Sequence, residues 1–521
     1  MADEYKPFLM LSQPGVTRDG TVLARNTYTE FQWCRSYQGR PRKMGGYRQL
    51  VRGVDGIIRA FGTQSINGFT YVHAGAQDVL MRFTIDNETG LSSSLVDRTP
   101  VGFDASDMNG WQFTTMYDTA GTANLIIAHA VPNIPSLTTT EERPVYYGDL
   151  TDTAALTAIS SSNTSGGCVA IINYLIVYGN DGVVKWSVPG NPTDLTGSGS
   201  GDARPTANKI VRGLPLRGRG GPAALLWSLD SLVVMQWTGG AEVFDFDTIT
   251  TNGSILSSNG VIEHNGIYYW ATTNGFSAFN GVMRDLPNTF NGQWFLSNLN
   301  WSQRQKVFAY KVPRWNEIWW CFPFGSATEC SHAVIYNYAE NVWYDTELPR
   351  DMRSAGQYAQ IFEYPIMSCT GNPERAPGDP ILSNVWQMEY GFDRVAGTPA
   401  VPSAIPAWFK THEFSLVEPQ GLGQSGQNRS LSVNIAEPDF DQVGNLSLTV
   451  ETRANARQRT PTVYAPITIP ADDYTPGEQL TKLKITGRLM SFKVESNTQG
   501  GNFVAGSPLV HLGPGDGRMQ S

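Results

Sequence analysis

Between Cys168 and Pro189 the chain alternates short apolar runs with turn residues. Val169 to Ile172 and Leu175 to Tyr178 are runs of β-branched and aromatic residues, followed by Gly179-Asn180-Asp181-Gly182 and a third run from Val183 to Val188. Asn, Asp and Gly supply the positive φ values that tight hairpins need, so the pattern predicts three strands joined by two turns. The third run partly alternates, whereas the unbroken second run predicts burial on both faces. A three-stranded meander with a doubly covered centre cannot stand alone, so neighbours of the same kind are expected.

They recur from residue 53 to about 392. The most apolar middle strands begin near Phe69, Asn124, Tyr174, Leu232, Ile267, Ile318 and Ile366, separated by 55, 50, 58, 35, 51 and 48 residues. Most intervals sit close to the roughly 40 to 50 residues of a four-stranded β-propeller blade. Several units share an order: a strand, an Asn-Gly or similar turn (Asn67-Gly68, Asn265-Gly266, Arg314-Trp315-Asn316-Glu317), an aromatic strand, a second turn and a strand with a late aromatic. Radial closure removes exposed sheet edges, which favours a propeller of about six to eight irregular blades. A pair of β-sandwiches is the alternative; it explains the strand lengths but not the recurrence. No window of twelve or more residues shows helical periodicity, and Ser302 to Lys306 and Thr151 to Ala158 are the best short helical candidates. The predicted class is all-β.

The flanks differ from the repeats. Residues 1–52 read as an extended segment joining the propeller, with turn chemistry at Leu11 to Gly20, one strand from Tyr28 to Arg35 and a basic, glycine-rich stretch from Gly39 to Arg48. Residues 53–398 are assigned to the propeller. After Pro399, Pro402 and Pro406 the runs Leu431 to Ile435, Leu446 to Arg453 and Leu489 to Glu495 alternate, with Gln420 to Gln427 a flexible loop. This predicts a separate β-rich platform or assembly domain over 399–521, with one face of its strands apolar and the other polar.

Composition narrows the function. At 521 residues the chain exceeds one compact core unless repeats are stacked. A net charge of −9 argues against wrapping nucleic acid on a basic surface, yet suits an acidic surface past which DNA slides. No basic leader with an apolar core opens the chain, and no apolar run reaches the roughly 20 residues of a membrane span. The five cysteines are scattered and lack a C-x-x-C pair, so neither a disulfide framework nor a zinc site is signalled; Cys321 and Cys330 could face each other across a hairpin, or stand as buried thiols.

The six histidines fall at no metal-ligand spacing, and no nucleophile elbow, phosphate loop or dinucleotide fingerprint is present. Paired carboxylates at Glu437, Asp439 and Asp441 and at Asp472-Asp473 match the acid and nucleophile of a glycosidase in residue type, but also ordinary loop acids. The expectation is no catalytic residue, no metal and no cofactor. Basic clusters at Arg40, Arg42 and Lys43, at Arg212, Arg217 and Arg219, and at Arg453, Arg457 and Arg459 stand against the acidic whole. The first and third are the candidate partner contacts, with solvated loops as the alternative reading. Trp301, Trp315, Trp319, Trp320 and Trp343 crowd one unit and suit a sugar-stacking platform, although Ile318 to Phe322 reads better as a packed central strand.

Certain phrases carry a resemblance. They are Leu11-Ser12-Gln13-Pro14-Gly15 followed by Asn26; Gly39-Arg40-Pro41-Arg42-Lys43-Met44-Gly45-Gly46-Tyr47; Tyr178 to Gly182 leading to Trp186-Ser187; Asn316 to Trp320; and Tyr336 to Trp343. Together they resemble the β-propeller nozzle, or tail-hub, proteins of short-tailed, podovirus-like bacteriophages. The resemblance spans most of the chain through degenerate phrases, without one diagnostic motif. It implies a structural virion protein, assembled in the host bacterial cytoplasm, with several copies, typically six, forming the distal tail tube through which the genome leaves. The implied partners are further copies of the chain in a hexameric ring, the tail adaptor and other tail proteins, and DNA passing through the lumen without specific binding. A glycan-binding or glycan-cleaving receptor-recognition propeller of a phage tail is the alternative. An intracellular scaffold propeller would show closely similar blades, which these units lack.

Overall fold

The structure, a computed structural model, describes residues 5–103, 110–119, 121, 123–131, 140–216, 222–240, 242–358, 363–369, 381–415, 429–471 and 481–518. It is all-β and is built largely from small antiparallel sheets. Six consecutive four-stranded sheets begin at Ala60–Ile66, Gly110–Tyr117, Gly167–Ile171, Ile210–Pro215, Val261–His264 and Phe308–Val312. In each, strands successive in sequence are hydrogen-bonded neighbours. A seventh sheet takes Ala355–Tyr358, Pro365–Ser368 and Leu382–Met388 from the end of this region and its fourth strand, Tyr47–Asp55, from the beginning. The hairpin Asp393–Ala396 and Val401–Ala404 extends it, the former running parallel to Tyr47–Asp55.

The middle-strand runs are buried on both faces because consecutive residues enter different cores. Ile126 packs between the first and second sheets and Ile127 between the second and third. Likewise Val177 faces back to the second sheet and Ile176 on to the fourth. Leu226 faces the third sheet and Leu225 the fifth, and Trp320 faces the fifth while Trp319 joins the core shared with the seventh. Val51 and Val54 of the N-terminal strand and Ile366 and Val385 then pack with Phe61 and Val72 of the first sheet. Each fully buried side chain of this size contributes about 1.5–3 kcal/mol. The first strands of most successive sheets also lie side by side, and Ala355–Tyr358 lies against Ala60–Ile66.

Two details depart from the expected pattern. The intervals of 58 and 35 residues around Leu232 arise because Leu232–Trp237 is the third strand of its sheet; the second is Ala223–Ser228. Counted from Ala223, the two intervals become 49 and 44 residues. Ser302 to Lys306 lies within a 3-10 helix, Trp301–Lys306, whereas Thr151 to Ala158 is irregular chain ending in the short strand Thr157–Ala158. The α-helix Gly292–Asn298, at seven residues, is too short for periodicity to reveal. Its first amides are capped from a distance, as Gln293 and Trp294 donate to the Asp19 carboxylate at 3.0 and 2.9 Å.

The chain's two flanks fold together. Lys6–Leu9 pairs with Leu509–Arg518, Glu30–Gln32 with Ala407–Lys410, and Arg40–Lys43 with Asn502–Ala505. These pairings belong to three sheets that share one core with the sixth and seventh sheets of the repeat. Leu446–Arg453 alternates strictly between buried and half-buried positions, the pattern its sequence carries.

Tight approach between sheets makes glycine necessary at Gly75, where a Cβ would fall 2.3 Å from Trp111 Cγ of the next sheet. Gly75→Val is expected to destabilise the chain by about 1–3 kcal/mol through overpacking, read as a lower midpoint in guanidinium unfolding.

Candidate functional site

A charge cluster sits where the flanking sheets meet the repeat. Arg35, on Cys34–Tyr37, is fully buried and lies 2.9 Å from Glu317 Oε1 and 2.5 Å from Glu389 Oε1. The remaining carboxylate capacity is also used: Tyr344 donates to Glu317 at 2.6 Å, Trp319 Nε1 to Glu317 at 2.8 Å and Trp315 Nε1 to Glu389 at 2.9 Å. Burial pushes the Glu317 carboxyl up despite Arg35. At Glu389 the same burial is outweighed by Arg35 and the Trp315 donor, leaving that carboxyl below its usual range. Isolated charges at such depth would each cost several kcal/mol, so the three are stable only together.

The predicted partner contacts divide between interior and surface. Lys43 is buried, with Nζ donating to the Gly501 carbonyl at 2.8 Å. Arg42 stacks 4.6 Å above the Trp315 ring, which Arg35 and Arg314 also approach, at 4.5 and 5.4 Å. Arg40 donates to Ser507 Oγ at 3.1 Å. Arg453 pairs with Glu413 at 2.6 Å and donates to the Arg459 carbonyl at 3.0 Å, while the side chains of Arg457 and Arg459 are exposed in the following loop. The structure does not bring the two clusters together as one basic face: the first is woven into the joint between sheets, and the second runs from the end of Leu446–Arg453 into the loop that follows. Arg217, Arg219, Asp472, Asp473 and the Gln420 to Gln427 loop lie outside the described residues.

The other candidates are accounted for locally. Asp439 accepts from the backbone of Ser507, and Glu437 contacts His511. All five cysteines are buried, and Cys321 and Cys330 do not form a bridge; Cys330 Sγ donates to the Lys306 carbonyl at 3.2 Å. Trp319, Trp320 and Trp343 are core residues, while Trp301 is 43% exposed. Among the described residues no group of three or more His, Cys, Asp or Glu could hold a metal, and no helix is long and apolar enough to cross a membrane.

A cavity of about 980 Å³ runs between the first strands of the repeat sheets, lined by polar residues such as Gln64, Gln112, Arg212, Glu263, Lys311 and Gln357. At its wall Arg59 forms a double hydrogen bond to Glu329, at 2.7 and 2.9 Å, and Lys306 reaches the same carboxylate at 2.7 Å. Burial alone would raise Glu329; the two cations overcome it and hold the carboxyl below its usual range. Sequence reading missed Arg35, Glu317 and Glu329. The available signal was a charge beside a strongly apolar strand, as in Glu317-Ile318-Trp319-Trp320, where no solvent-facing position exists.

Comparison of the chain with protein-family models and with curated proteins gives no match.

Glu317→Gln leaves Arg35 short of one counter-charge and is expected to cost about 3–5 kcal/mol in chemical denaturation. Glu329, with its folded pKa below the unfolded value of about 4.3, stabilises the fold above that pH and ceases to do so as pH falls through its folded value. The stability gap between the native chain and Glu329→Gln, present at pH 7, should therefore close in acid below about pH 4.

Proposed function

We propose that the seven sheets are the blades of a β-propeller, with Tyr47–Asp55 completing the last blade, and that the chain is a structural tail component of a short-tailed bacteriophage. In this reading several copies, expected to be six, form a ring at the distal tail, dock on a tail adaptor and give passage to the genome. The observation that carries it is the place of the phrases behind the resemblance. Gln13–Val16 lies against Val342–Glu347 of the sixth sheet, Tyr47–Asp55 is where the N-terminal segment enters the repeat, and Arg40–Lys43 and Asn316 to Trp320 bracket the Arg35 cluster. Four of the five phrases thus lie where the repeat meets the flanking sheets, while Tyr178 to Ser187 lies in the third sheet and its core with the fourth.

A subunit built this way suits mechanical work rather than chemistry. Propeller and flanking sheets share a continuous core, so force on one is passed to the other without a hinge. The net acidic chain is suited to a lumen that repels phosphate and lets DNA slide, since attractive contacts would retain it. The role assigned is non-catalytic, in the virion tail, after assembly in the host cytoplasm.

Native mass measurement of the purified chain, with electron microscopy of the same sample, tests the reading. The expected result is a ring with a central channel and six times the 57.1 kDa chain mass. A monomer at every concentration up to the solubility limit, with binding to host polysaccharide, would overturn it in favour of receptor recognition.

A further inference from the structure

The cavity between the first strands holds three cations, and their surroundings differ. Arg59 is answered by Glu329. Lys311 lies 3.9 Å from Glu263 Oε2 and donates to the Glu263 carbonyl at 2.7 Å. Arg212 has no carboxylate within ion-pair distance among the described residues; Nη1 reaches Asn259 Oδ1 at 3.4 Å, and Nε is buried with no hydrogen-bond partner.

The chain takes specific steps to hold Arg212 there. The ladder between Ile210–Pro215 and Ala223–Ser228 shifts register between Ile210 and Arg212, a bulge that sends Val211 into the core and turns Arg212 to the cavity wall. Both backbone neighbours are pinned. Gln112 Nε2 donates to the Val211 carbonyl at 2.9 Å, and the Gly213 amide donates to Tyr178 Oη at 2.7 Å. Tyr178 Oη in turn donates to Gln112 Oε1 at 2.6 Å, closing the network. Gly213 has room for nothing more, since a Cβ would meet the Tyr178 ring at 2.7 Å.

We propose that the central cavity is a binding site for an anionic small molecule bearing a carboxylate or phosphate group, with Arg212 as its counter-charge and Asn259 as an additional polar contact. An arginine fork is matched to two oxygens of either group. Burial weakens the protonated form of Arg212; Glu263 of the wall lies beside Lys311, and among the described residues no carboxylate stands within ion-pair distance of Arg212 to offset that cost. An anion from solution does so, and the cavity, at about 980 Å³, has space for a molecule well beyond a single oxyanion. The inference does not depend on the tail-protein reading.

Titration of the full-length chain with inorganic phosphate and, separately, with citrate tests it, at ionic strength held constant with sodium chloride. Thermal unfolding reads both titrations, and phosphorus NMR reads the first. The expected result is a saturable rise in melting temperature with at least one of the two anions. Arg212→Gln should lower the affinity at least tenfold, Arg212→Lys should give an intermediate value, and Arg52→Gln, at an exposed position on Tyr47–Asp55, should leave it unchanged. A response to phosphate alone assigns a phosphorylated ligand, and a response to citrate alone assigns a carboxylate. Should Arg212→Gln fail to fold, Arg212→Lys carries the comparison. No saturable response to either anion, or equal affinity in the native chain and the folded Arg212 variants, would overturn the proposal.

Discussion

The pairing of Arg35 with Glu317 and Glu389 ties together three parts of the chain that are far apart in sequence. Arg35 comes from the N-terminal segment, Glu317 from the sixth sheet and Glu389 from the end of the third strand contributed by the seventh. Because none of these charges can be left alone in the interior, the flanking sheets cannot dock in another register without exposing the cost of an unpaired ion. The Trp315, Trp319 and Tyr344 donors complete the carboxylates and make the joint directional. Apolar burial in the same core provides most of the cohesion; the ion cluster selects the arrangement.

The repeat sheets solve a different problem. Their middle strands have no solvent face, so each sheet is stable only between two others, and a linear row would leave its ends uncovered. The chain meets this by returning Tyr47–Asp55 to the seventh sheet, which packs on the first. One strand from the beginning of the repeat region and three from its end are thus held in one hydrogen-bonded ladder. The flanks repeat the device on a larger scale, since strands before residue 47 pair with strands after residue 406.

Local features were legible in proportion to their locality. The Cys168 to Pro189 meander is found as Gly167–Ile171, Tyr174–Tyr178 and Val184–Trp186, because its turn residues and apolar runs act over a few positions. Asp181 indeed adopts a positive φ of 53°. The Leu232 unit was misread because both inner strands of that sheet are equally apolar, Ala223–Ser228 being buried throughout, and hydrophobicity does not rank second strand against third. Lys43 and Arg42 looked like a solvated basic loop, since nothing in Arg40-Pro41-Arg42-Lys43 announces that Gly501 and Trp315 await them. The Arg212 bulge left no trace in composition or period.

The sequence by itself determined the all-β class, the recurrence of short meanders and the double burial of their middle strands, because turn chemistry and side-chain period are properties of neighbouring residues. Tertiary structure decided which strand completes the seventh sheet, that both flanks share one core, and which charged residues are interior. Those outcomes depend on pairings across hundreds of residues, where backbone ladders are indifferent to side-chain identity and only burial, counter-charge and space discriminate. Arg35 and Arg212 make the contrast plain: both are arginines on short strands, yet one is enclosed by two carboxylates and the other lines a cavity with none at ion-pair distance from it among the described residues.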